Sequence, residues 1–170
     1  GSGTSSMSGA MCGQQSEVTD TISKLAVRAL DIYENFDERV GGDPGFMNHG
    51  ILGFSPSVEA AEARADAARK NGSIVSALDI AGVTEFYSEL NVEGYGAGVL
   101  YPRTGCVDSY QTMQAYAQQA RKLGADIREF TPVKRIDVRK GKIEAVHTSA
   151  GTIAPGKVVL ACGPWSHKVA

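Results

Sequence analysis

The sequence predicts a mixed α/β protein, because apolar residues recur at helical spacing in some segments and alternate or cluster in others. Glycine-rich stops separate these segments, and 20 of the 170 residues are glycine. The last apolar run, residues 158–161, is apolar on both faces, as in a strand buried within a parallel sheet. With 42% hydrophobic and 21% charged residues, the composition is that of a globular protein.

The first elements are a helix and a strand. Apolar positions at three- and four-residue steps predict an amphipathic helix over residues 17–40. Ser16 is its expected N-cap, and Gly41-Gly42 followed by a proline is its expected stop. Residues 46–54 are short and apolar, which predicts a strand.

An alanine-rich segment follows. Residues 57–70 predict a second helix on the surface, closed by Asn71-Gly72. Its expected packing face consists of Ala63, Ala67 and Ala68. The next stretch has weaker patterns, which suggest a short strand over residues 74–78 and a helix ending near Leu90.

The second half begins with a strand at residues 98–101, a turn, and a helix over residues 109–123 that Gly124 caps. Residues 126–130 predict another strand. A β-meander should follow, with turns at 140–141 and 150–151. The expected strands of the meander are 133–139, 142–148 and 151–153, and the expected buried strand that follows it is 157–161.

Charge and cysteine content exclude several classes of protein. The net charge of −2 gives no overall field that would attract nucleic acid or an anionic membrane. No apolar run approaches the roughly 18 residues of a membrane span. Cys12, Cys106 and Cys162 are widely spaced, so neither a disulfide framework nor a metal site is expected. A reducing, cytoplasmic compartment is the default expectation, and residues 1–3 resemble a cloning remnant.

The end of the chain carries a candidate ligand-binding turn. The run at 158–161 leads directly into Cys162-Gly163. In open α/β sheets, ligands bind at the carboxyl edge of the strands, where a glycine lets a phosphate or sugar approach the backbone. An ordinary strand-to-helix turn remains the alternative interpretation.

The order of motifs resembles the FAD-binding domain of the D-amino-acid oxidase type, a family that includes glycine oxidase and the flavin subunits of sarcosine oxidases. The motifs are TSSMSGAMCGQ, then GVLYPRTGCVDSYQTMQAYAQQARKLGADI, then VVLACGPWS. The resemblance implies a partial FAD-binding domain with a β-meander, formed by residues 4–45 and 102–170. Residues 46–101 would be part of a substrate-binding domain.

The resemblance also implies roles for the N-terminal loop. It places Thr4, Ser5 and Ser6 against the pyrophosphate and ribityl groups of FAD. It places Gly9, Ala10 and Met11 where the loop passes the isoalloxazine ring. Small residues suit this position because the backbone must lie against a flat ring and offer N–H donors. Without the resemblance, residues 4–11 would be interpreted as a flexible serine-rich leader.

Further FAD contacts are implied in the second half of the chain. Val133 would meet the adenine ring through its backbone N–H and C=O groups. Ala161, Cys162 and Gly163 would form the turn near the adenosine and pyrophosphate, and Trp165 would pack beside that turn.

The family's dinucleotide fingerprint is absent from this sequence. Gly94-Tyr95-Gly96-Ala97-Gly98 precedes a strand and opens no helix, so it fails the structural test for G-x-G-x-x-G. The family's C-terminal segment, which closes over the flavin, is also missing. We therefore expect an internal fragment that is inactive by itself. His49, His147 and His167 are isolated in sequence, and no catalytic acid or base can be named.

The implied reaction of the parent protein is oxidation of the C–N bond of a small amino acid or N-methylated amine to an imine, with FAD as cofactor. Two alternatives remain open. One is a stand-alone, non-catalytic α/β module for binding or assembly, which could form homo-oligomers through exposed strand edges. The other is part of a different FAD-dependent dehydrogenase, acting on glycerol phosphate or a hydroxy acid.

Overall fold

The computed structural model describes residues 3–13 and 19–169. The chain forms two compact units, Gly1–Leu123 and Gly124–Ala170. The helices of the first unit are α1 (Asp20–Glu34), α2 (Phe36–Arg39), α3 (Val58–Lys70), α4 (Ile80–Phe86) and α5 (Ser109–Lys122). Its strands are β1 (Met11–Cys12), β2 (Met47–Asn48), β3 (Ile51–Ser55), β4 (Ser76–Asp79), β5 (Ala97–Tyr101) and β6 (Gly105–Cys106). None of the helices in this described part of the chain is long and apolar enough to cross a membrane.

The main sheet of the first unit is antiparallel, with strand order β3-β5-β4. The central strand β5 is almost wholly buried, and α3 packs against it. The buried face of α3 consists of Ala61, Ala65 and Ala68. Ala68 lies on the packing face, as expected, but Ala63 and Ala67 are exposed. The reason is that the buried residues follow steps of four and three positions from Ala61, which does not include positions 63 and 67. Alanines on this face let the helix approach the sheet closely.

A second, smaller sheet has the order β1-β6-β2. Its strands are two residues long, and Cys106 lies opposite both Met11 and Met47. The strand predicted over residues 46–54 is therefore two strands that belong to different sheets. The chain bends between them at Gly50, whose φ of 68° is the left-handed conformation that glycine adopts at no steric cost.

The helix predicted over residues 17–40 is also divided. Asn35, at φ −119° and ψ 37°, leaves the helical region and separates α1 from α2. The N-cap of α1 is Thr19, whose hydroxyl accepts a hydrogen bond from the backbone N–H of Ile22. Ser16, the expected cap, lies outside the described residues. The predicted stop at Gly41-Gly42 is confirmed, since both residues have positive φ.

The second unit is a three-stranded antiparallel meander, with the order β7-β8-β9. Its strands are β7 (Val133–Arg139), β8 (Lys142–Thr148) and β9 (Gly151–Ile153), as the alternation of residues predicts. Lys140 and Gly141 have φ values of 51° and 73°, which is the type I′ geometry of a two-residue hairpin turn. A short 3₁₀ helix, Gly163–Lys168, follows the meander.

Two predicted strands are wrong. Residues 126–130 and 157–161 contain no strand in the structure. Residues 126–130 are exposed, and Val159, expected inside a parallel sheet, is 87% exposed. A strand exists only through backbone hydrogen bonds to a neighbouring strand, and neither segment pairs with another strand within the described residues. The apolar pattern alone is therefore not sufficient to form a strand.

Candidate functional site

The N-terminal loop is an ordered, exposed segment. Thr4–Met7 form one turn of 3₁₀ helix, and residues 3–9 are all exposed. Serine hydroxyls bond the loop to itself: Ser6 Oγ donates to Gly3 O, and Ser8 Oγ donates to Ser5 O, both at 2.9 Å. These local bonds replace hydrogen bonds that an exposed loop would otherwise make with water.

The loop is fixed against the start of α5. The backbone N–H of Val107 donates to Ala10 O at 3.0 Å, next to the pairing of β1 with β6. Ser8 Oγ lies 3.3 Å from Ser109 Oγ. Ala10 has a φ of 52°, a conformation that costs a non-glycine residue free energy and persists only where its surroundings impose it. The small-residue loop is therefore held in one defined path.

A cleft of about 320 Å³ lies beside this loop, and we call it the loop cleft. Its walls are Ser5, Ser8, Ala10, Met11 and Cys12 from the loop and β1, with Tyr33, Val107, Ser109, Thr112 and Met113 opposite. Of the loop residues expected to contact FAD, the structure brings Ser5, Ala10 and Met11 together here. Thr4, Ser6 and Gly9 belong to the same loop but are not among the described residues that line the cleft.

Cys12 and Tyr33 form a neutral part of the cleft wall. Burial raises the pKa of the Cys12 thiol, and its hydrogen bond with Tyr33 lowers that pKa by a smaller amount. Burial is also the main reason that the pKa of Tyr33 is raised to about 12. Both groups are therefore protonated near neutral pH, so neither is suited to act there as a nucleophile or base.

Thr104 connects the loop to the β2–β3 bend. Its carbonyl oxygen accepts hydrogen bonds from the backbone N–H groups of His49 at 3.3 Å and Gly50 at 2.8 Å. Its hydroxyl is buried and has no hydrogen-bond partner among the described residues. A Cβ at Gly13 would lie 2.5 Å from Thr104 Cγ2, so a larger residue at position 13 requires the buried Thr104 side chain to move or to be smaller.

The remaining expected FAD contacts lie in the second unit. Val133 is the first residue of β7 and is 40% exposed. Ala161, Cys162 and Gly163 are exposed, and Gly163 has a φ of 54°. Trp165, in the following 3₁₀ helix, is 50% exposed. Their proposed contacts with FAD stay predictions.

Sequence reasoning missed a second cleft in the first unit. This cleft, of about 530 Å³, combines aromatic and acidic walls, and we call it the aromatic–acidic cleft. It is lined by Tyr33, Glu34, Phe36, Asp37, Gly42, Asp43, Pro44 and Phe46. The available signal was the interleaving of acidic and aromatic residues between positions 33 and 46.

Sequence reasoning also missed a polar cluster on the meander. His147 Nε2 lies 2.7 Å from Asp137 Oδ2, and His147 Nδ1 lies 3.1 Å from Thr152 Oγ1. Arg135 pairs with Asp137 at 2.8 Å. The hydrogen bond to His147, followed by the charge of Arg135, lowers the pKa of Asp137. His147 is thus one of a cross-strand group, although it is isolated in sequence.

Comparison with known proteins identifies the family. The whole chain, residues 1–170, matches the family described as DAO, FAD dependent oxidoreductase. The chain belongs to this family. FAD is therefore the cofactor of the family to which these residues belong, and the predicted resemblance is confirmed. No group of three or more His, Cys, Asp or Glu side chains that could hold a metal ion occurs in the part of the chain that the structure describes.

Several curated relatives are named as oxidases or dehydrogenases of small amino acids or methylated amines. The chain is 28% identical over 155 residues to 4-methylaminobutanoate oxidase (formaldehyde-forming) of Paenarthrobacter nicotinovorans, covering 89% of this chain and 19% of the relative. It is 29% identical over 180 residues to glycine oxidase of Geobacillus kaustophilus, covering 99% of this chain and 47% of that protein. It is 26% identical over 151 residues to mitochondrial dimethylglycine dehydrogenase of Mus musculus, covering 87% of this chain and 17% of that protein. The chain thus spans less than half the length of these relatives.

Solved structures confirm the mixed α/β fold of this DAO-family chain. Glycine oxidase from Bacillus cereus superposes with a TM-score of 0.75 at 28% identity, covering 99% of this chain and 47% of that one. L-proline dehydrogenase from P. horikoshii superposes with a TM-score of 0.85 over 99% of this chain and 45% of that one. At 22% identity, the second comparison supports the fold alone.

The loop cleft fits one part of FAD. Its described lining has no charged side chain, and it offers small residues, serine hydroxyls and an uncovered loop backbone, which suit a flat ring with polar edges. A volume of about 320 Å³ is at the lower end of the range for ligand pockets, so the cleft could hold a part of the cofactor but not all of it.

Proposed function

We propose that the protein containing this chain is an FAD-dependent oxidase or dehydrogenase of a small amino acid or N-methylated amine. Its product would be an imine, formed by oxidation of the C–N bond. The observation that carries this proposal is the agreement among the relatives, whose names give 4-methylaminobutanoate, glycine and dimethylglycine as substrates. All three molecules carry an amine nitrogen on a short carbon chain.

In this proposal the N-terminal loop supports the reacting half of the cofactor. Gly9, Ala10 and Met11 pass the isoalloxazine ring, while Thr4, Ser5 and Ser6 face the ribityl and pyrophosphate groups. FAD, when bound, supplies the acceptor for the hydride of the substrate's C–H bond. The main contribution of the loop is rigidity, since the Val107–Ala10 hydrogen bond and the β1–β6 pairing fix its path.

The other elements have supporting roles in the same proposal. Val133 would contact adenine, and residues 161–163 would form the turn near the adenosine and pyrophosphate, with Trp165 beside them. Residues 4–45 and 102–170 would belong to the FAD-binding domain, and residues 46–101 to the substrate-binding domain. The proposed compartment is the cytoplasm. We assign no catalytic acid or base to this chain, and we propose that the 170 residues alone are inactive.

The test compares two purified proteins: the 170-residue chain and the product of the complete open reading frame that contains it. We expect the visible absorption of bound flavin only in the complete product. Under anaerobic conditions, adding sarcosine, dimethylglycine, glycine or 4-methylaminobutanoate should bleach that absorption. Glycerol phosphate and a hydroxy acid serve as controls from the alternative dehydrogenase classes. A flavin that only these controls reduce would refute amine oxidation.

One relative favours a second candidate, a non-catalytic assembly module. The chain is 22% identical over 152 residues to the mitochondrial pyruvate dehydrogenase phosphatase regulatory subunit of Mus musculus, covering 86% of this chain and 17% of that protein. Its name describes regulation rather than oxidation. A complete gene product that binds flavin but reduces it with none of the substrates, and that copurifies with a partner protein, would favour this second function.

A further inference from the structure

The aromatic–acidic cleft has walls of fixed aromatic rings. The ring of Tyr33 lies 6.1 Å from that of Phe36 and 6.2 Å from that of Phe46, measured between centroids. Phe36 is only 3% exposed, and its ring forms a T-shaped contact with that of Tyr116, with 5.2 Å between the centroids. Phe36 is therefore a buried support for this wall, and Tyr33 and Phe46 are its partly exposed rings. Aromatic faces carry the negative part of a quadrupole and attract cations.

The charged residues of this cleft are all acidic. Glu34, Asp37 and Asp43 line it, and its described lining contains no lysine, arginine or histidine. Arg103, which is outside the lining, donates a hydrogen bond to Glu34 Oε1 at 2.9 Å. Arg103 is shared with Asp31, so it cannot neutralise the whole group. The cleft is therefore negative as well as aromatic.

Backbone hydrogen bonds orient two of the carboxylates. Asp37 Oδ1 accepts from the backbone N–H of Gly42 at 3.0 Å, and Asp43 Oδ1 accepts from that of Gly45 at 2.7 Å. Each bond uses one of the two carboxylate oxygens, and a carboxylate has capacity for more. Both side chains are thus oriented at the cleft and keep oxygen atoms that can accept further hydrogen bonds.

We propose that the aromatic–acidic cleft binds a small organic cation, specifically a methylated ammonium group. Aromatic faces together with carboxylates recognise such ions, whereas a hard metal ion requires a close set of oxygen ligands, and no such group is found among the described residues. The volume of about 530 Å³ is sufficient for a small ligand. The choice of a methylated amine rests on the proposed function.

The position of the cleft connects it to that function. Tyr33 lines both the aromatic–acidic cleft and the loop cleft. A cationic amine bound in the first would therefore lie one side chain away from the loop proposed to face the flavin. The cleft would concentrate the charged form of the substrate beside the site of oxidation.

The binding test needs no flavin. Purified chain is titrated with tetramethylammonium chloride and followed by NMR of the aromatic side chains. Sodium chloride controls for ionic strength, and tert-butanol controls for shape without charge. We expect saturable shifts of Tyr33 and Phe46 with tetramethylammonium only. The same titration of the double variant Asp37→Asn/Asp43→Asn should show affinity reduced about tenfold or more, from the loss of two negative charges.

The variants separate charge from folding. Asparagine keeps the side-chain oxygen that accepts from Gly42 or Gly45, so the turns are preserved. Phe46→Leu removes a ring but keeps an apolar side chain, and should weaken binding about 2- to 30-fold. Glu93→Gln, at an exposed position outside the cleft, is the matched control and should leave affinity unchanged. Circular dichroism checks that each variant is folded.

The outcomes distinguish this inference from the proposed function. Saturable binding that the double variant loses supports the cleft, whether or not the complete protein oxidises amines. If tetramethylammonium and tert-butanol bind alike, or if Glu93→Gln weakens binding as much as the double variant, the inference is wrong. A complete protein that oxidises N-methylated amines, while its cleft residues show no shifts, would also overturn it.

Discussion

Gly105 is the position where a single added methyl group should damage the candidate site most directly. It lies in β6, the central strand of the small sheet that anchors the N-terminal loop. A Cβ built there would lie 2.2 Å from the carbonyl oxygen of Met47 and 2.9 Å from Phe46 Cε2. Ordinary contacts begin near 3.4 Å, so the Met47 backbone would have to move by about 1.2 Å.

The free-energy cost follows from what that movement breaks. Strand β2 is only two residues long, so moving Met47 weakens its pairing with β6. Overpacking costs about 1 to 3 kcal/mol, and a lost backbone hydrogen bond about 0.5 to 1.5 kcal/mol. We therefore expect Gly105→Ala to lower the free energy of unfolding of the first unit by about 1.5 to 4.5 kcal/mol.

The assay is urea unfolding with linear extrapolation, combined with hydrogen exchange at the amides of residues 10–12. Exchange there should accelerate because β1 pairs with the same central strand. Gly156→Ala is the control, since a Cβ at Gly156 meets nothing within 4 Å and its φ is not in the positive range. If Gly105→Ala costs no more than about 0.5 kcal/mol relative to this control, the steric argument is refuted.

Three further predictions concern charge and reactivity. Arg103 joins Asp31 and Glu34 of α1 to the β5–β6 turn. Arg103→Met should therefore lower the free energy of unfolding by about 1 kcal/mol, and by less at high salt. Thermal unfolding at two salt concentrations measures this difference. An unchanged midpoint at low salt would contradict it. The folded-state pKa of Asp137 lies below its unfolded value, so its contribution to stability is present above about pH 4 and is lost as pH falls through the lowered folded-state pKa. The free energies of unfolding of wild type and Asp137→Asn, measured as a function of pH, should differ above that range and converge below it. If the difference between the two proteins does not change with pH, the pairing of Asp137 with His147 has no effect on stability. An alkylating reagent at neutral pH should modify exposed Cys162 before Cys12, since burial raises the pKa of the Cys12 thiol, and peptide mass spectrometry reads the order. Tyr33→Phe should slow Cys12 further, because it removes the hydrogen bond that lowers this pKa; equal rates for both cysteines would refute the argument.

Local signals predicted the elements that depend on local interactions. Helix α3 begins after Ser57, whose hydroxyl accepts from Ala60 N, and ends at Asn71-Gly72, as its caps indicate. The meander strands follow from alternation and from the Lys140-Gly141 turn. These features are encoded within a few residues, so a sequence pattern is enough to find them.

Features that depend on distant partners could not be predicted in the same way. Residues 157–161 have the composition of a buried strand, yet strand formation requires a neighbour that the pattern does not specify. The predicted first helix is divided at Asn35, and no proline or glycine at that point indicates the division in the sequence. Tyr33 and Phe46 are 13 positions apart, and only the packing of α1 against the 40–46 segment brings their rings together.

The candidate site was predictable only in part for the same reason. The small residues of the N-terminal loop are visible in sequence, and Ser5, Ala10 and Met11 do line one cleft. The opposite wall, formed by Tyr33 with the start of α5, requires the β1–β6 pairing across nearly a hundred residues. The assignment of FAD contacts in the second unit stays a prediction.

The junction at Thr104 has a consequence for mutational studies of this chain. Three separate segments meet there. The carbonyl oxygen of Thr104 accepts hydrogen bonds from the backbone N–H groups of His49 and Gly50, and its side chain occupies the space beside Gly13. Residues in direct contact show interaction free energies of about 0.5 to 3 kcal/mol in double-mutant cycles. The effects of substitutions at Gly13 and Thr104 should therefore not add, and a smaller residue at 104 could rescue a larger one at 13.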